Sequence, residues 1–170
     1  MKIRCLSLFC LAALLSVFES TAQVINGSYA IKNVQTGMLL RPQEANKRDG
    51  TPIVLYNPVN WKCVTWNFKA VEANTYYLQN LFTNKTLQPV DAQPTEKTTL
   101  EQQPLSSTNA HQQWEFVPVA SKVYLIRLKG TALYLTPATP EGAVKSSVEL
   151  ARRKKDHSQE WTIYEQHPTR

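Results

Sequence analysis

Apolar residues in this chain alternate with polar ones or gather in runs of four to six, and no segment reads as a long amphipathic helix. "YAIKNV" from Tyr29, "MLLRP" from Met38, "PIVLY" from Pro52 and "TWNF" from Thr65 predict four short strands. The pattern then begins again, twice. Trp66, Trp114 and Trp161 recur at intervals of 48 and 47 residues, each followed two positions later by an apolar residue. Tyr29, Tyr77 and Tyr124 each open an apolar segment, and "LRP", "LQP" and "LTP" recur at Leu40, Leu87 and Leu135. Ile53, Leu100 and Val148 keep the same time, so four markers define three copies at about 25–72, 73–119 and 120–167. Between the first two strands of a copy, Gly37, Asn84 and Gly130 suit a tight turn, because Gly and Asn tolerate positive φ. Asp49-Gly50 and Glu141-Gly142 mark loops at a second common position. Twelve short strands in three equal units predict an all-β closed body, since closure removes exposed sheet edges.

The tryptophans carry a resemblance. Gln112-Gln113-Trp114 and Gln159-Glu160-Trp161 fit a Q-x-W motif near the end of a copy, while Val64-Thr65-Trp66 keeps only the tryptophan. In register with the other markers, this resembles the ricin-type (R-type) lectin β-trefoil over essentially all of 25–167. The resemblance implies six hairpins, forming a six-stranded barrel and a three-hairpin cap about a pseudo-threefold axis. Trp66, Trp114 and Trp161 are then structural core wedges, with a nearby glutamine amide satisfying backbone groups that the indole hides from water. The motif speaks for the fold and not for sugar binding.

Sugar binding needs a carboxylate or amides for vicinal hydroxyls and an aromatic ring for the apolar C–H face. The family places an aspartate after the second strand's leucine, an aromatic after the third strand, and an asparagine beside the Q-x-W glutamine. Here the aspartate position holds Arg41, Gln88 and Thr136; the aromatic position Tyr56, Gln103 and Ala151; the asparagine position Cys63, His111 and Ser158. No copy keeps the full set. One reading is a lectin that has left galactose, with Arg41 and Tyr56 taking an acidic sugar, or Gln88 with His111 and Gln112 a neutral one. Asn60 and Trp61, just beyond Tyr56, add a second ring outside the repeating set. The other reading is a trefoil scaffold that presents loops to a protein, as trefoil protease inhibitors do. Tyr56 as a half-buried strand residue and His111 as a satisfied loop residue are the plainer assignments.

The leading residues do not belong to this fold. Lys2 and Arg4, the apolar run from Leu6 to Phe18, and Ser20-Thr21-Ala22 read as a secretory signal peptide cleaved after Ala22. The run is short for a membrane span, which takes about 20 residues, and Cys10 lacks the small-residue context of a lipoprotein site. Residues 23–170 form one domain, exported to the periplasm, cell surface or medium, and expected as a monomer. Cys63 then stands without a partner and reads as a small buried hydrophobe.

The chain carries a net +6, and much of the excess lies in Arg152–Lys155, read as a solvated loop. No aromatics interleave with that run, which argues against nucleic acid. Asn26-Gly-Ser28 and Asn84-Lys-Thr86 match glycosylation acceptors. No histidine pair has helical metal-ligand spacing, and there is no nucleophile elbow or phosphate loop. The expectation is a non-enzymatic protein without cofactor, metal or transmembrane segment, whose partner is a glycan or a protein.

Overall fold

A computed structural model describes residues 24–170; the expected leader at 1–22 lies outside them. Twelve strands follow in chain order: β1 (Gly27–Asn33), β2 (Leu39–Pro42), β3 (Ile53–Tyr56), β4 (Thr65–Glu72), β5 (Thr75–Asn80), β6 (Thr86–Pro89), β7 (Leu100–Gln103), β8 (Trp114–Ala120), β9 (Val123–Leu128), β10 (Tyr134–Pro137), β11 (Val148–Ala151) and β12 (Glu160–Glu165). Single 3-10 turns at Lys62–Val64, Ala110–Gln112 and His157–Gln159 precede β4, β8 and β12. No helix among the described residues is long and apolar enough to cross a membrane.

Antiparallel pairing runs β1–β4–β5–β8–β9–β12 and returns to β1, closing a six-stranded barrel. β2–β3, β6–β7 and β10–β11 form three hairpins that cap it. This is a β-trefoil. The tight turns behave as their residues predict: Gly37 has φ 72°, Asn84 φ 64° and Gly130 φ 75°.

Register fixes the symmetry, and it corrects the tyrosine series. Trp66 lies opposite Tyr29, Trp114 opposite Tyr76 and Trp161 opposite Tyr124. The second member is therefore Tyr76 and not Tyr77. Side chains alternate across a strand, so this one-residue slip exchanges the two faces. Tyr76 is buried in the barrel, whereas Tyr77 is half-buried on the other face and donates its hydroxyl to the Ser107 carbonyl.

Inside, the three tryptophans are wholly buried and chemically equivalent. Trp66 Nε1 donates to Leu40 O at 3.1 Å, Trp114 Nε1 to Leu87 O at 3.2 Å and Trp161 Nε1 to Leu135 O at 3.0 Å. Each indole thus ties a barrel strand to its own cap hairpin while filling the core between them. Phe68 and Phe116 stand two residues beyond, in edge-to-face contact at 5.0 Å, with Tyr29, Tyr76 and Tyr124 around them.

The cap closes through a second threefold device. Gly50 N–H donates to Gln102 O, Lys97 N–H to Leu150 O and Lys145 N–H to Leu55 O, at 2.9, 2.7 and 2.8 Å. The same acceptor residues return N–H groups to Thr51, Thr98 and Ser146. The donors sit at φ 74°, 69° and 70°, so the common left-handed position is Gly50, Lys97 and Lys145. Gly142, paired with Gly50 on sequence, lies three residues before Lys145. Its own positive φ is 53°, and a Cβ there would stand 2.2 Å from Thr36 Cγ2.

Candidate functional site

Each copy places its sugar-site positions in a socket between the end of its second strand and the 3-10 turn before its fourth. The register aligns Tyr56, Gln103 and Ala151 opposite Leu39, Thr86 and Tyr134, so the aromatic position is equivalent in all three. What fills the sockets differs.

In the second copy, buried Gln112 is the keystone, 1% exposed. Its Nε2 donates to Gln88 Oε1 at 2.9 Å and to Pro104 O at 3.0 Å, and its Oε1 accepts from Ser106 N–H at 2.8 Å. Asn109 caps the turn by accepting from His111 N–H at 3.0 Å, and its Nδ2 donates to Gln88 Oε1, also at 3.0 Å. Both donations go to the Gln88 oxygen, which leaves the Gln88 amide N–H₂ for a ligand. Gln88, Pro89, Val90, Asp91, Ala92, Asn109 and His111 line a hollow of about 290 Å³. Gln88 and His111 are therefore brought together. Asp91 is the residue sequence reading missed: it supplies a carboxylate three positions after the place the family pattern assigns, and its Oδ2 accepts from Thr98 Oγ1 at 3.0 Å.

The third copy builds the same keystone with less around it. Gln159 Nε2 donates to Thr136 Oγ1 at 3.0 Å and Arg152 O at 2.9 Å, and Asp156 caps its turn at Ser158 N–H. Hydrogen bonding to Ser158 holds the Asp156 carboxyl below the usual aspartate range. Ala151 and the buried Thr136 and Ser158 offer neither ring nor free amide. In the adjoining Arg152–Lys155 run the side chains are exposed, and Arg152 reaches Glu96 at 3.6 Å.

The first copy has changed at three linked positions. Val64 replaces the keystone glutamine, Trp61 stands where Asn109 and Asp156 cap, and Arg41 stands where Gln88 and Thr136 meet the keystone. The turn at Lys62–Val64 has no side-chain cap. Arg41 is 5% exposed, and its guanidinium carbon lies 3.8 Å from the Tyr56 ring centroid. One face of the Tyr56 ring thus carries the guanidinium and is closed to a sugar. Trp61 lies 6.3 Å from Tyr56, centroid to centroid, and is 37% exposed; Asn60 beside it is exposed. Cys63 packs with Ala30, Leu39 and Val64. Burial pushes its thiol pKa up, against a smaller downward pull from the Arg41 charge.

A sequence model of the family described as ricin-type beta-trefoil lectin domain-like matches residues 62–150. No curated protein matches the chain in sequence. Among solved structures, the designed threefold-symmetric protein ThreeFoil superposes with a TM-score of 0.77 at 18% identity, covering 82% of this chain and 99% of its own. A ricin B-like lectin of Macrolepiota procera, solved in complex with lactose, gives 0.68 at 19% identity over 83% of this chain and 97% of that one. An exo-β-1,3-galactanase from Clostridium thermocellum gives 0.75 at 15% identity over 81% of this chain, which spans 30% of that enzyme.

Proposed function

Because the chain belongs to the ricin-type β-trefoil lectin-like family, we propose that it is an exported, non-catalytic carbohydrate-binding module that takes a neutral sugar in the hollow of its second copy. The observation that carries this reading is the convergence of an unspent Gln88 amide, the Asp91 carboxylate and the His111 ring on one hollow. A sugar's adjacent hydroxyls both donate and accept, so they match an amide N–H₂ set beside a carboxylate. Pro89, Val90 and Ala92 supply apolar wall for the C–H face. The keystone fixes Gln88 in advance, so little ordering is left for the ligand to impose.

No aromatic ring stands at Gln103, so stacking is absent and affinity is low. The expected Kd is about millimolar, or roughly −4 kcal/mol. The test is titration of the isotope-labelled protein with galactose, N-acetylgalactosamine and glucose, followed by amide shifts. Shifts confined to residues 88–92 and 109–112, abolished in Gln88→Ala and Asp91→Asn, support the reading. Silence with all three sugars at about tens of millimolar counts against it. Export rests on the charge, apolar run and small residues of positions 1–22. Its check is the mass of the protein recovered outside a secreting host, which should begin at Gln23.

A further inference from the structure

We infer that the first copy is a second, chemically distinct socket, in which Arg41 and Trp61 bind the anionic group and ring of an acidic saccharide. This inference stands independently of the neutral hollow.

The starting point is a charge without a partner. Among the described residues the Arg41 Nε is sealed from solvent and has no hydrogen-bond acceptor. A guanidinium cannot escape the cost of burial by losing its proton, since its pKa is far above neutrality. Buried cations are therefore expected to be paired. The stack on Tyr56 offsets part of the penalty, but a ring quadrupole does not supply the acceptor that the Nε–H lacks. Glu44 is the nearby carboxylate, and it is engaged by Lys145 at 2.8 Å. Glu44 therefore meets Arg41 through space only, and the Arg41 Nε is left without an acceptor.

The second observation is the coordinated change at the same socket. In the other two copies the residue at this position is claimed by the keystone glutamine. Val64 cannot make that claim. The loss of the glutamine, the gain of a fork of donors and the replacement of the cap by Trp61 all fall in one socket. Together they exchange an amide site for a cationic one. A planar guanidinium matches the two oxygens of a carboxylate or a sulfate ester.

The third observation is that Trp61 is held in place. Its own carbonyl accepts from Thr65 Oγ1 at 2.8 Å, and Gln166 Nε2 donates to Val59 O at 3.0 Å. Lys62 N–H donates to Arg170 O at 2.5 Å. The partly exposed indole therefore sits on a loop pinned from both sides, a preset surface for the apolar face of a sugar. With Nε closed to solvent, the anion meets the Nη edge of the guanidinium, while the ring of the saccharide reaches Trp61.

The experiment compares glucuronic acid, galactose 6-sulfate, galactose, acetate and inorganic sulfate at matched ionic strength. Trp61 fluorescence reports binding, because Trp66, Trp114 and Trp161 are wholly buried. The melting temperature is the second readout. Glucuronate or the sulfated sugar should perturb Trp61 and raise the melting temperature; galactose should leave Trp61 unperturbed, and any rise in melting temperature that it causes at the second copy should vanish in Gln88→Ala. Arg41→Gln should weaken the response to the acidic sugars at least tenfold, and Gln88→Ala should leave it unchanged; Trp61→Ala, which removes the fluorophore and is read by melting temperature alone, should shrink the rise that glucuronate causes while sparing the melting temperature without ligand. Arg41→Met fills the same space without charge and serves if the glutamine variant folds poorly. An undiminished response in either Arg41 variant, or galactose perturbing Trp61 as strongly as glucuronate does, overturns the assignment. If acetate and sulfate act as strongly as the acidic sugars, the site holds an adventitious ion only and the saccharide reading falls.

Discussion

Replacing Gln112 with alanine removes a side chain that is 1% exposed and makes three hydrogen bonds at 2.8–3.0 Å. Two of its partners, Ser106 N–H and Pro104 O, are backbone groups that alanine leaves stranded. A stranded group costs about 1–3 kcal/mol when sealed and less where water can reach it. Pro104 is exposed, so water can relieve its carbonyl, whereas Ser106 N–H is half-buried. The sum is about 2–4 kcal/mol, which for a domain of this size lowers the melting temperature by about 6–12 °C. Far-UV circular dichroism on heating measures it. Gln113→Ala is the control, because Gln113 spends its amide on the Tyr77 hydroxyl at 3.1 Å in a partly exposed place; it should cost under about 1 kcal/mol. Gln112→Val, which copies the residue the first socket has at Val64, should be no better than alanine, since the cap at Asn109 and the partner at Gln88 remain unchanged. A loss below about 1 kcal/mol for Gln112→Ala would refute the keystone role and, with it, the preset Gln88.

The corrected register predicts unequal effects for adjacent tyrosines. Tyr76→Ala should cost about 3–5 kcal/mol and Tyr77→Ala about 1 kcal/mol in chemical denaturation, and equal effects would return the register to question. Lys97 occupies a left-handed conformation that glycine adopts without strain, so Lys97→Gly should hold or raise stability by up to about 1 kcal/mol; a clear fall in melting temperature would contradict the cap geometry. Trp114→Ala should destabilise the whole domain by about 3–5 kcal/mol in one cooperative transition. A fragment ending at Phe116 lacks β9 to β12 and leaves β1 and the remnant of β8 each without one barrel neighbour, so the barrel stays open and the fragment should give no dispersed amide spectrum.

The fold was legible because its largest side chains carry it. A buried tryptophan every 47 or 48 residues, with Leu and Pro markers in step, leaves little freedom in topology; the strand register reproduces the positions aligned from sequence at 41 and 56 with their counterparts, and Cys63, His111 and Ser158 fall at the middle of equivalent 3-10 turns. The tyrosine slip arose where two aromatic residues are adjacent: Tyr76 and Tyr77 are chemically alike, and only the pairing to Trp114 says which faces the barrel. Lys97 and Lys145 hid the second left-handed position, because lysine carries no signal for positive φ. At the sockets, residue types were visible and their spending was not. That Gln88 gives its oxygen to two donors, that Arg41 is buried against Tyr56, and that Asp91 reaches the hollow from three residues on all depend on side-chain direction, which one sequence does not encode legibly.

The pseudo-threefold axis has a consequence for valence. It sets neighbouring sockets a third of a turn apart on the rim, facing away from each other. If the second socket takes neutral sugars and the first acidic ones, as proposed, a single chain offers each ligand class one point of attachment. Such a molecule would not cross-link glycoconjugates that carry only one kind of sugar, so agglutination by the isolated chain is not expected on uniformly neutral cells. It would instead act as a heterobifunctional tether, joining a neutral glycan on one body to an acidic glycan on another, with the rigid barrel setting the distance between them.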